Sequence, residues 1–391
     1  MPITRSRVRL VFRILAPFVG FFLLPRLVGT EIYAAFVLQF FFFTSAIGLV
    51  TSPLEHALIR LRSKPGYGSK FAQMFWAYLV IAVVASFVAG MTYGLFPSPV
   101  QTQSGSGLMA LLAIAIAAVA SQVGYFLKFF RSDWYYYYAE ILNYVLIAVV
   151  AILAEFWGSL DLLTFSCLSA LTYLGLTAIR LLQMSKCAGI GQPQPRRIGC
   201  LSLRAFRAST VPSLFGALIK RADSFYMPIM GSSPAAVLVY RLIRNVIASV
   251  SLVGNMHAQD IWMTRRVSRQ GLPPAAYLLV TTCMMIILAS VVWLYLIWLG
   301  VSNPLQPADL VCSGLSTVAA VYLALNAAEI NRVFQQGRYD IVLTGSLFSL
   351  ASFLALLVIG RLTNFHSVTY LLILVFVPQL VNGLYIKKRI N

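Results

Sequence analysis

The sequence predicts an all-α, polytopic membrane protein with about twelve transmembrane helices. Hydrophobic residues make up 60% of the 391-residue chain and charged residues only 10%, whereas a soluble domain carries roughly a quarter. So little charge cannot cover a globular surface of this size, and the apolar excess must therefore face lipid. The remaining charges recur at intervals that fit loops between membrane spans.

Apolar windows along the chain give the individual spans. Each crossing needs about 20 mostly apolar residues, because an α-helix rises about 1.5 Å per residue. The first window follows a basic stretch but has no A-x-A cleavage site, so we interpret it as a retained helix rather than a signal peptide. The predicted spans are 8–28, 33–54, 72–95, 108–130, 135–155, 161–182, 209–230, 234–257, 275–300, 308–330, 341–360 and 367–386.

The loops between these spans alternate in charge. Lys and Arg number 30 against 11 Asp and Glu, a formal net charge of +19. In a soluble protein this excess would suggest nucleic acid, but in a membrane protein the positive-inside rule accounts for it, and we expect no nucleic-acid partner. The alternation predicts a multi-pass protein of the inner (plasma) membrane with both termini in the cytoplasm, and only Arg361 departs from it. The basic loops contain Arg60 to Lys70, Lys128 and Arg131, Lys186 to Arg207, Arg265 to Arg269, Arg332 and Arg338, and Lys387 to Arg389.

The longest cytoplasmic loop divides the spans into two sets of six. The predicted organisation is an N-terminal six-helix lobe at 1–182, a basic cytoplasmic connector at 183–208 and a C-terminal six-helix lobe at 209–391. The segments LPRLVGTEIYAAFVLQF and MPIMGSSPAAVLVYRLI each predict a helix, a tight Gly turn and a second helix. Parallel repeats of this kind are one plan of membrane transporters.

Motifs of soluble or ATP-driven chemistry are absent from the sequence. It has no Gly-x-x-x-x-Gly-Lys-Ser/Thr loop, no His-Glu-x-x-His and no Gly-x-Ser-x-Gly. The five Cys are scattered without a C-x-x-C pair, so neither a disulfide framework nor a metal site is predicted. We therefore expect no enzyme, no catalytic residues and no bound cofactor.

The most informative residues are charges at membrane depth. A Lys, Arg or Asp at a helix centre costs about 2.5–3.5 kcal/mol on insertion scales, so such a group usually faces a cavity or a partner. The seventh span contains Lys220, Arg221 and Asp223, and the three-residue spacing of Lys220 and Asp223 predicts that this carboxylate neutralises one cation. Arg241 and Arg244 enter the eighth span, again three apart on one face.

Two interpretations of this charge cluster stay open. The excess of positive charge suits an anionic substrate, because arginine can bind phosphate through two parallel hydrogen bonds. The alternative is a structural ion-pair network in which Asp223, Glu140 and Glu329 balance the arginines. The two glutamates lie one to two turns from the inner ends of their spans, so they could also titrate in ion or proton coupling.

Two further groups lie near span ends. Arg26 stands by the outer end of the first span with Glu31 just beyond it, which fits either an interfacial pair or a gate. Trp134 and Tyr135 to Tyr138 form an aromatic run that predicts an interfacial belt, with sugar stacking as the alternative.

Two hairpins of the sequence resemble those of a known family, the Wzx-type polysaccharide flippases. In PRLVGTEIYAAFVLQFFFFTSAIGL, Arg26, Gly29 and Tyr33 stand where that family has an arginine near a helix end, a Gly turn and a Tyr before a long apolar helix. Family members commonly have Gly after this Tyr, where the chain has Ala34. The segment VPSLFGALIKRADSFYMPIMGSSPAAVLVYRLIRNV is similar to the family's seventh and eighth helices at Pro212, Asp223, Gly231 and Tyr240.

The resemblance implies membership of the multidrug/oligosaccharidyl-lipid/polysaccharide exporter superfamily. It implies two six-helix lobes around a central cationic cavity and transport of a polyprenyl-diphosphate-linked oligosaccharide to the outer leaflet by alternating access, coupled to a proton or sodium gradient. The expected partners are the lipid-linked oligosaccharide, membrane lipids and other polysaccharide-assembly proteins. The implied substrate-binding residues are Lys220, Arg221, Arg241, Arg244 and Arg26. The implied coupling or charge-balancing residues are Asp223, Glu140 and Glu329.

Three other functions are weighed against this one. A relative that exports drugs or another anionic lipid would show fewer arginines or a different acidic pattern in its cavity. A membrane-embedded polysaccharide polymerase or ligase typically has a large outer loop with catalytic basic residues, and the short outer loops predicted here argue against it. A scaffold of a polysaccharide-synthesis complex would tolerate loss of the cavity charges.

Overall fold

The computed structural model describes residues 24–61, 67–94, 105–127, 145–149, 152–153, 156, 161–188, 201–229, 236–248, 290, 294, 307–336, 338–363 and 369–390. The regular elements of these ranges are helical and none is a strand, which confirms the all-α prediction. The helices are α1 (Leu24–Val28), α2 (Thr30–Leu61), α3 (Tyr67–Tyr93), α4 (Gly105–Phe126), α5 (Leu162–Ala188), α6 (Leu201–Lys220), α7 (Ala222–Ile229), α8 (described at residues 236–248), α9 (Pro307–Gln336), α10 (Tyr339–Leu362) and α11 (Tyr370–Ile390).

Among the described helices, seven are long and apolar enough to cross a membrane. Their spanning segments are Thr30–Glu55, Met74–Tyr93, Ser106–Phe126, Leu162–Leu182, Pro307–Ala327, Tyr339–Leu362 and Tyr370–Ile390. Each overlaps a predicted span, so the chain is a polytopic helical membrane protein. The spans predicted at 8–28, 135–155 and 275–300 lie largely outside the described residues, and the total of about twelve stays a prediction.

Helix α3 illustrates how the sequence suits lipid. Val80, Val84 and Phe87 each expose more than half of their surface along one side of this helix. Tyr78 and Ala82 are fully buried on its other side. A continuous apolar surface of this kind would be a liability in water, but in a bilayer it meets acyl chains while the helix satisfies its own backbone hydrogen bonds.

The described residues form two compact units. Unit 1 falls within Met1–Ala217 and Ser224–Pro234, and unit 2 falls within Leu218–Asp223 and Ala235–Asn391. The predicted connector at 183–208 is described only in part, and the predicted division into two six-helix lobes stays a prediction.

Unit 1 is built on α2 and on the close packing of α4 against α5. Ala113, Ala117 and Ala170 pack together with Phe40 and Tyr173. Small residues at such contacts let helix backbones approach closely, which supplies the packing energy that lipid-embedded helices need. Polar side chains tie the same helices: the Thr177 hydroxyl of α5 donates to the Ala120 carbonyl at 2.9 Å, and the Tyr78 hydroxyl of α3 donates to the Gln122 carbonyl at 3.2 Å.

Local hydrogen bonds fix the starts of two helices in unit 1. Gly29 separates α1 from α2 with φ +90°, a conformation that favours glycine, and the Tyr33 amide donates to its carbonyl at 3.1 Å. This confirms the helix, Gly turn and helix predicted for the first hairpin. At the start of α5, the Thr164 amide donates to Asp161 Oδ1 at 2.7 Å, and this bond together with the Thr164 hydroxyl lowers the pKa of the Asp161 carboxyl.

Helices α9, α10 and α11 pack against one another in unit 2. Val333, Ile341, Val342 and Ile386 form a buried apolar cluster from all three helices. Hydrogen bonds also join these helices, as expected in lipid, where the hydrophobic effect does not drive helices together. Ser349 donates to the Pro378 carbonyl at 2.7 Å, Lys387 Nζ donates to Asn326 Oδ1 at 2.6 Å, and the Thr369 hydroxyl bonds to Asp309.

Candidate functional site

The candidate site lies in unit 2, where the sequence predicted the seventh and eighth spans. The seventh span is not one continuous helix: α6 ends at Lys220, Arg221 forms a turn, and α7 begins at Ala222. The Arg221 amide donates to the Leu218 carbonyl at 3.2 Å, a three-residue bond that tightens the end of α6. A one-residue turn at Arg221 therefore separates Lys220 from Asp223 along the chain, and the neutralisation of Lys220 by Asp223 stays a prediction.

Asp223 is the centre of the cluster. It is fully buried, in the first turn of α7. Its Oδ2 lies 2.8 Å from Arg244 Nη1 and 3.6 Å from Arg241 Nη1. The Tyr240 hydroxyl donates to the same oxygen at 2.9 Å. The carboxylate thus balances the two arginines of α8.

Arg244 links the carboxylate to the helix break. Its Nη2 donates to the Lys220 carbonyl at 2.9 Å while its Nη1 meets Asp223. The carbonyls in the last turn of a helix lack intrahelical donors. Arg244 donates to one of them and contacts Asp223 beyond the turn, and so stabilises both sides of the break.

The two arginines differ in exposure. The Arg241 side chain is 1% exposed and its guanidinium carbon lies 5.9 Å from the Tyr240 ring centroid. The Arg244 side chain is 20% exposed. Lys220 is exposed and Arg221 half-buried at the break. The cluster therefore has a buried part, Arg241 with Tyr240, and a partly exposed part, Arg244 with the residues of the turn.

Tyr240 belongs to the site although it was not a predicted site residue. The sequence placed it one turn before Arg244, so both reach the same neighbour from one face of α8. That spacing was the available signal, but the neighbour itself could not be identified without the three-dimensional structure.

The other predicted site residues are not brought into this cluster by the described contacts. Arg26 is an exposed residue of α1, in unit 1. Glu329 lies in α9, two residues beyond the apolar segment of this helix, and the structure does not describe the Glu329 side chain. Glu140, Gly231 and the aromatic run Trp134–Tyr138 lie outside the described residues. Over the ranges that the structure describes, no group of His, Cys, Asp and Glu could hold a metal ion.

No protein-family model and no curated protein matches the chain. Among solved structures, it is similar to the MATE multidrug transporter DinF-BH, with a TM-score of 0.54 and 13% identity over 99% of this chain and 93% of the other. It is also similar to the eukaryotic MATE transporter AtDTX14, with a TM-score of 0.52 and 13% identity over 99% of this chain and 96% of the other. The chain has the MATE transporter fold.

At 13% identity the likeness concerns the fold alone, so the exporter superfamily and the polysaccharide-flippase subtype both stay predictions.

Proposed function

We propose that the chain is a transporter that moves a polyprenyl-diphosphate-linked oligosaccharide across the inner membrane by alternating access. The observation that carries the proposal is the cluster of Asp223, Arg241 and Arg244, with Lys220 and Arg221 at the adjoining helix break. These five residues include four cations and one carboxylate, a formal charge of +3. Charge of this kind is costly inside a membrane and is usually kept for function.

The difference in exposure supports an anion-binding role over a purely structural one. A structural network would bury all of its members, as the protein does with Asp223 and Arg241. Arg244, Lys220 and Arg221 keep part of their surface accessible. Arginine presents a planar fork that matches phosphate, so Arg244 is the residue that we assign to the diphosphate.

Export of drugs is the second candidate, because one of the similar structures is a multidrug transporter. An apolar or cationic drug would gain nothing from four cationic side chains and would be repelled by them if cationic. An anionic lipid headgroup gains charge-assisted hydrogen bonds from the same residues. The charge of the cluster therefore favours the lipid-linked substrate. Coupling to a proton or sodium gradient remains part of this proposal.

The first prediction tests the cluster directly. The purified protein is reconstituted into vesicles containing a fluorescent polyprenyl-diphosphate disaccharide, and dithionite quenching measures its movement between leaflets. We expect Arg241→Ala with Arg244→Ala to slow this movement roughly a hundredfold, because loss of the charge-assisted bond from Arg244 to the diphosphate costs about 1.5–3 kcal/mol. In the double variant the Asp223 carboxylate has lost both arginines. Asp223→Asn added to that variant removes this carboxylate, and the slow rate of movement should persist.

The matched control is Arg361→Ala, which removes an exposed arginine at the end of α10 in the same unit. It should flip the probe at the wild-type rate. Undiminished flipping by the Arg241, Arg244 double variant would contradict the proposal. Flux of the cationic dye ethidium by the wild type, without movement of the saccharide probe, would favour drug export.

A further inference from the structure

We infer that Asp223 is an internal counter-anion of Arg244. Its carboxylate occupies the position on Arg244 that the phosphate of the ligand takes, and the two anions exchange there. The inference rests on the proposed function and adds a role for the carboxylate. In the absence of ligand, Asp223 compensates the charge of Arg244. When an anionic headgroup arrives, Arg244 turns to the phosphate, and the return of Asp223 to Arg244 promotes release.

The contact between Asp223 and Arg244 is one that phosphate can improve on. Arg244 meets the carboxylate through Nη1 and the Lys220 carbonyl through Nη2, so the two sides of its fork bind different groups. A phosphate oxygen pair can accept from both sides at once and carries more negative charge than one carboxylate. The exchange therefore replaces two separate bonds with a bidentate pair.

Asp223 keeps other partners when Arg244 leaves. The Tyr240 hydroxyl donates to Oδ2 at 2.9 Å, and Arg241 Nη1 lies 3.6 Å from the same oxygen. A buried carboxylate stripped of all partners would cost several kcal/mol, which would prevent the exchange. Tyr240 and Arg241 lower that cost, and this explains why a fully buried arginine stands beside an accessible one.

The exchange also changes the contacts that stabilise the helix break at Arg221. Arg244 contacts residue 220 through its backbone carbonyl and residue 223 through its side chain, one on each side of Arg221. A phosphate that takes both guanidinium nitrogens releases both contacts together. Occupancy of the site thus changes the support of the turn at Arg221.

The test compares binding with transport in Asp223→Asn. Asparagine keeps the size of the side chain and an oxygen that accepts from Tyr240, but it removes the charge. We expect the variant to bind farnesyl diphosphate in detergent roughly tenfold more tightly, since the competing ion pair is gone, and to flip the fluorescent diphosphate probe at least tenfold more slowly. Asp340→Asn removes an exposed carboxylate from the first turn of α10 and should change neither value.

Inorganic pyrophosphate is measured alongside farnesyl diphosphate. Tighter binding of both by Asp223→Asn supports the exchange and shows that free phosphate compounds reach the site. Tighter binding of farnesyl diphosphate alone supports the exchange and assigns the ligand to a lipid headgroup.

Weaker or unchanged binding by a folded Asp223→Asn overturns the counter-anion role, whereas the proposed function stands as long as the wild type binds and flips its probes. Failure of the wild type to bind farnesyl diphosphate contradicts both. If the variant does not give a monodisperse peak in size-exclusion chromatography, the inference is tested instead by amide hydrogen exchange of the wild type with and without farnesyl diphosphate. Farnesyl diphosphate should then raise amide exchange around residues 218–224, and unchanged or slower exchange there overturns the inference.

Discussion

At the scale of residues, one carboxylate oxygen organises the charged cluster. Asp223 Oδ2 is the closest contact of Arg244 and also accepts from Tyr240, with Arg241 slightly further away. Inside a membrane the effective dielectric constant is low, so these interactions depend strongly on one another. Replacement of one member should change the energies of the others.

A double-mutant cycle measures this dependence. Asp223→Asn should lower the free energy of unfolding by about 3 kcal/mol, because it leaves the buried Arg241 without its carboxylate. Arg241→Met removes that buried charge, and the double variant should be more stable than the sum of the single effects by about 0.5–3 kcal/mol. Unfolding in mixed detergent micelles gives these values. Additive effects would show that Asp223 and Arg241 are not energetically coupled.

At the scale of elements, the packing of α10 on α11 depends on a buried glycine. A Cβ atom added to Gly360 would lie 2.6 Å from Tyr370 Cε1 and 3.2 Å from its Cζ. The Tyr370 ring cannot move away cheaply, because its hydroxyl donates to the Leu356 carbonyl at 2.6 Å. Glycine at this position therefore allows the two helices their close contact.

Gly360→Ala should lower the free energy of unfolding by about 1–3 kcal/mol, the usual cost of overpacking. Gly314 in α9 is the matched control, since a Cβ added there meets no atom within 4 Å. Gly314→Ala should be neutral or slightly stabilising, because alanine is about 1 kcal/mol better than glycine within a helix. The same detergent unfolding assay compares the two. Equal effects at both positions would contradict the packing argument.

The break between α6 and α7 is the other feature at this scale. Hydropathy treats residues 209–230 as one apolar window, because it averages over about 20 residues and cannot detect a single turn. The structure shows that Arg244, from another helix, bonds the carbonyl that ends α6. Which donor bonds to a carbonyl at a helix end depends on tertiary contacts, which hydropathy does not contain.

At the scale of the whole molecule, the uneven distribution of Lys and Arg predicts the orientation in the membrane. Ser104 falls in a predicted outer loop and Ser268 in a basic inner loop. In a background with the five Cys replaced by Ser, Ser104→Cys should react in intact cells with a membrane-impermeant maleimide, while Ser268→Cys should react only after permeabilisation. The reverse pattern would overturn the predicted placement of both termini in the cytoplasm.

The sequence by itself determined the class of the protein and singled out three charged residues that the structure places in contact. Seven predicted spans are confirmed by described helices, and Asp223, Arg241 and Arg244 were identified because charge at membrane depth is rare and expensive. Both inferences use local composition, because a membrane requires apolar segments to be helical and makes charged residues within them costly.

Only the tertiary structure decided which groups meet. It brought Asp223 into contact with Arg241, Arg244 and Tyr240, placed a break at Arg221, and distinguished a buried arginine from a partly exposed one. These facts depend on contacts between α7 and α8, because spacing along the chain does not fix the distances between residues of different helices. A segment forms a membrane helix because of its average hydropathy, which can be calculated from the sequence. An ion pair forms only where individual atoms come within a few ångströms of each other, and this depends on the tertiary structure.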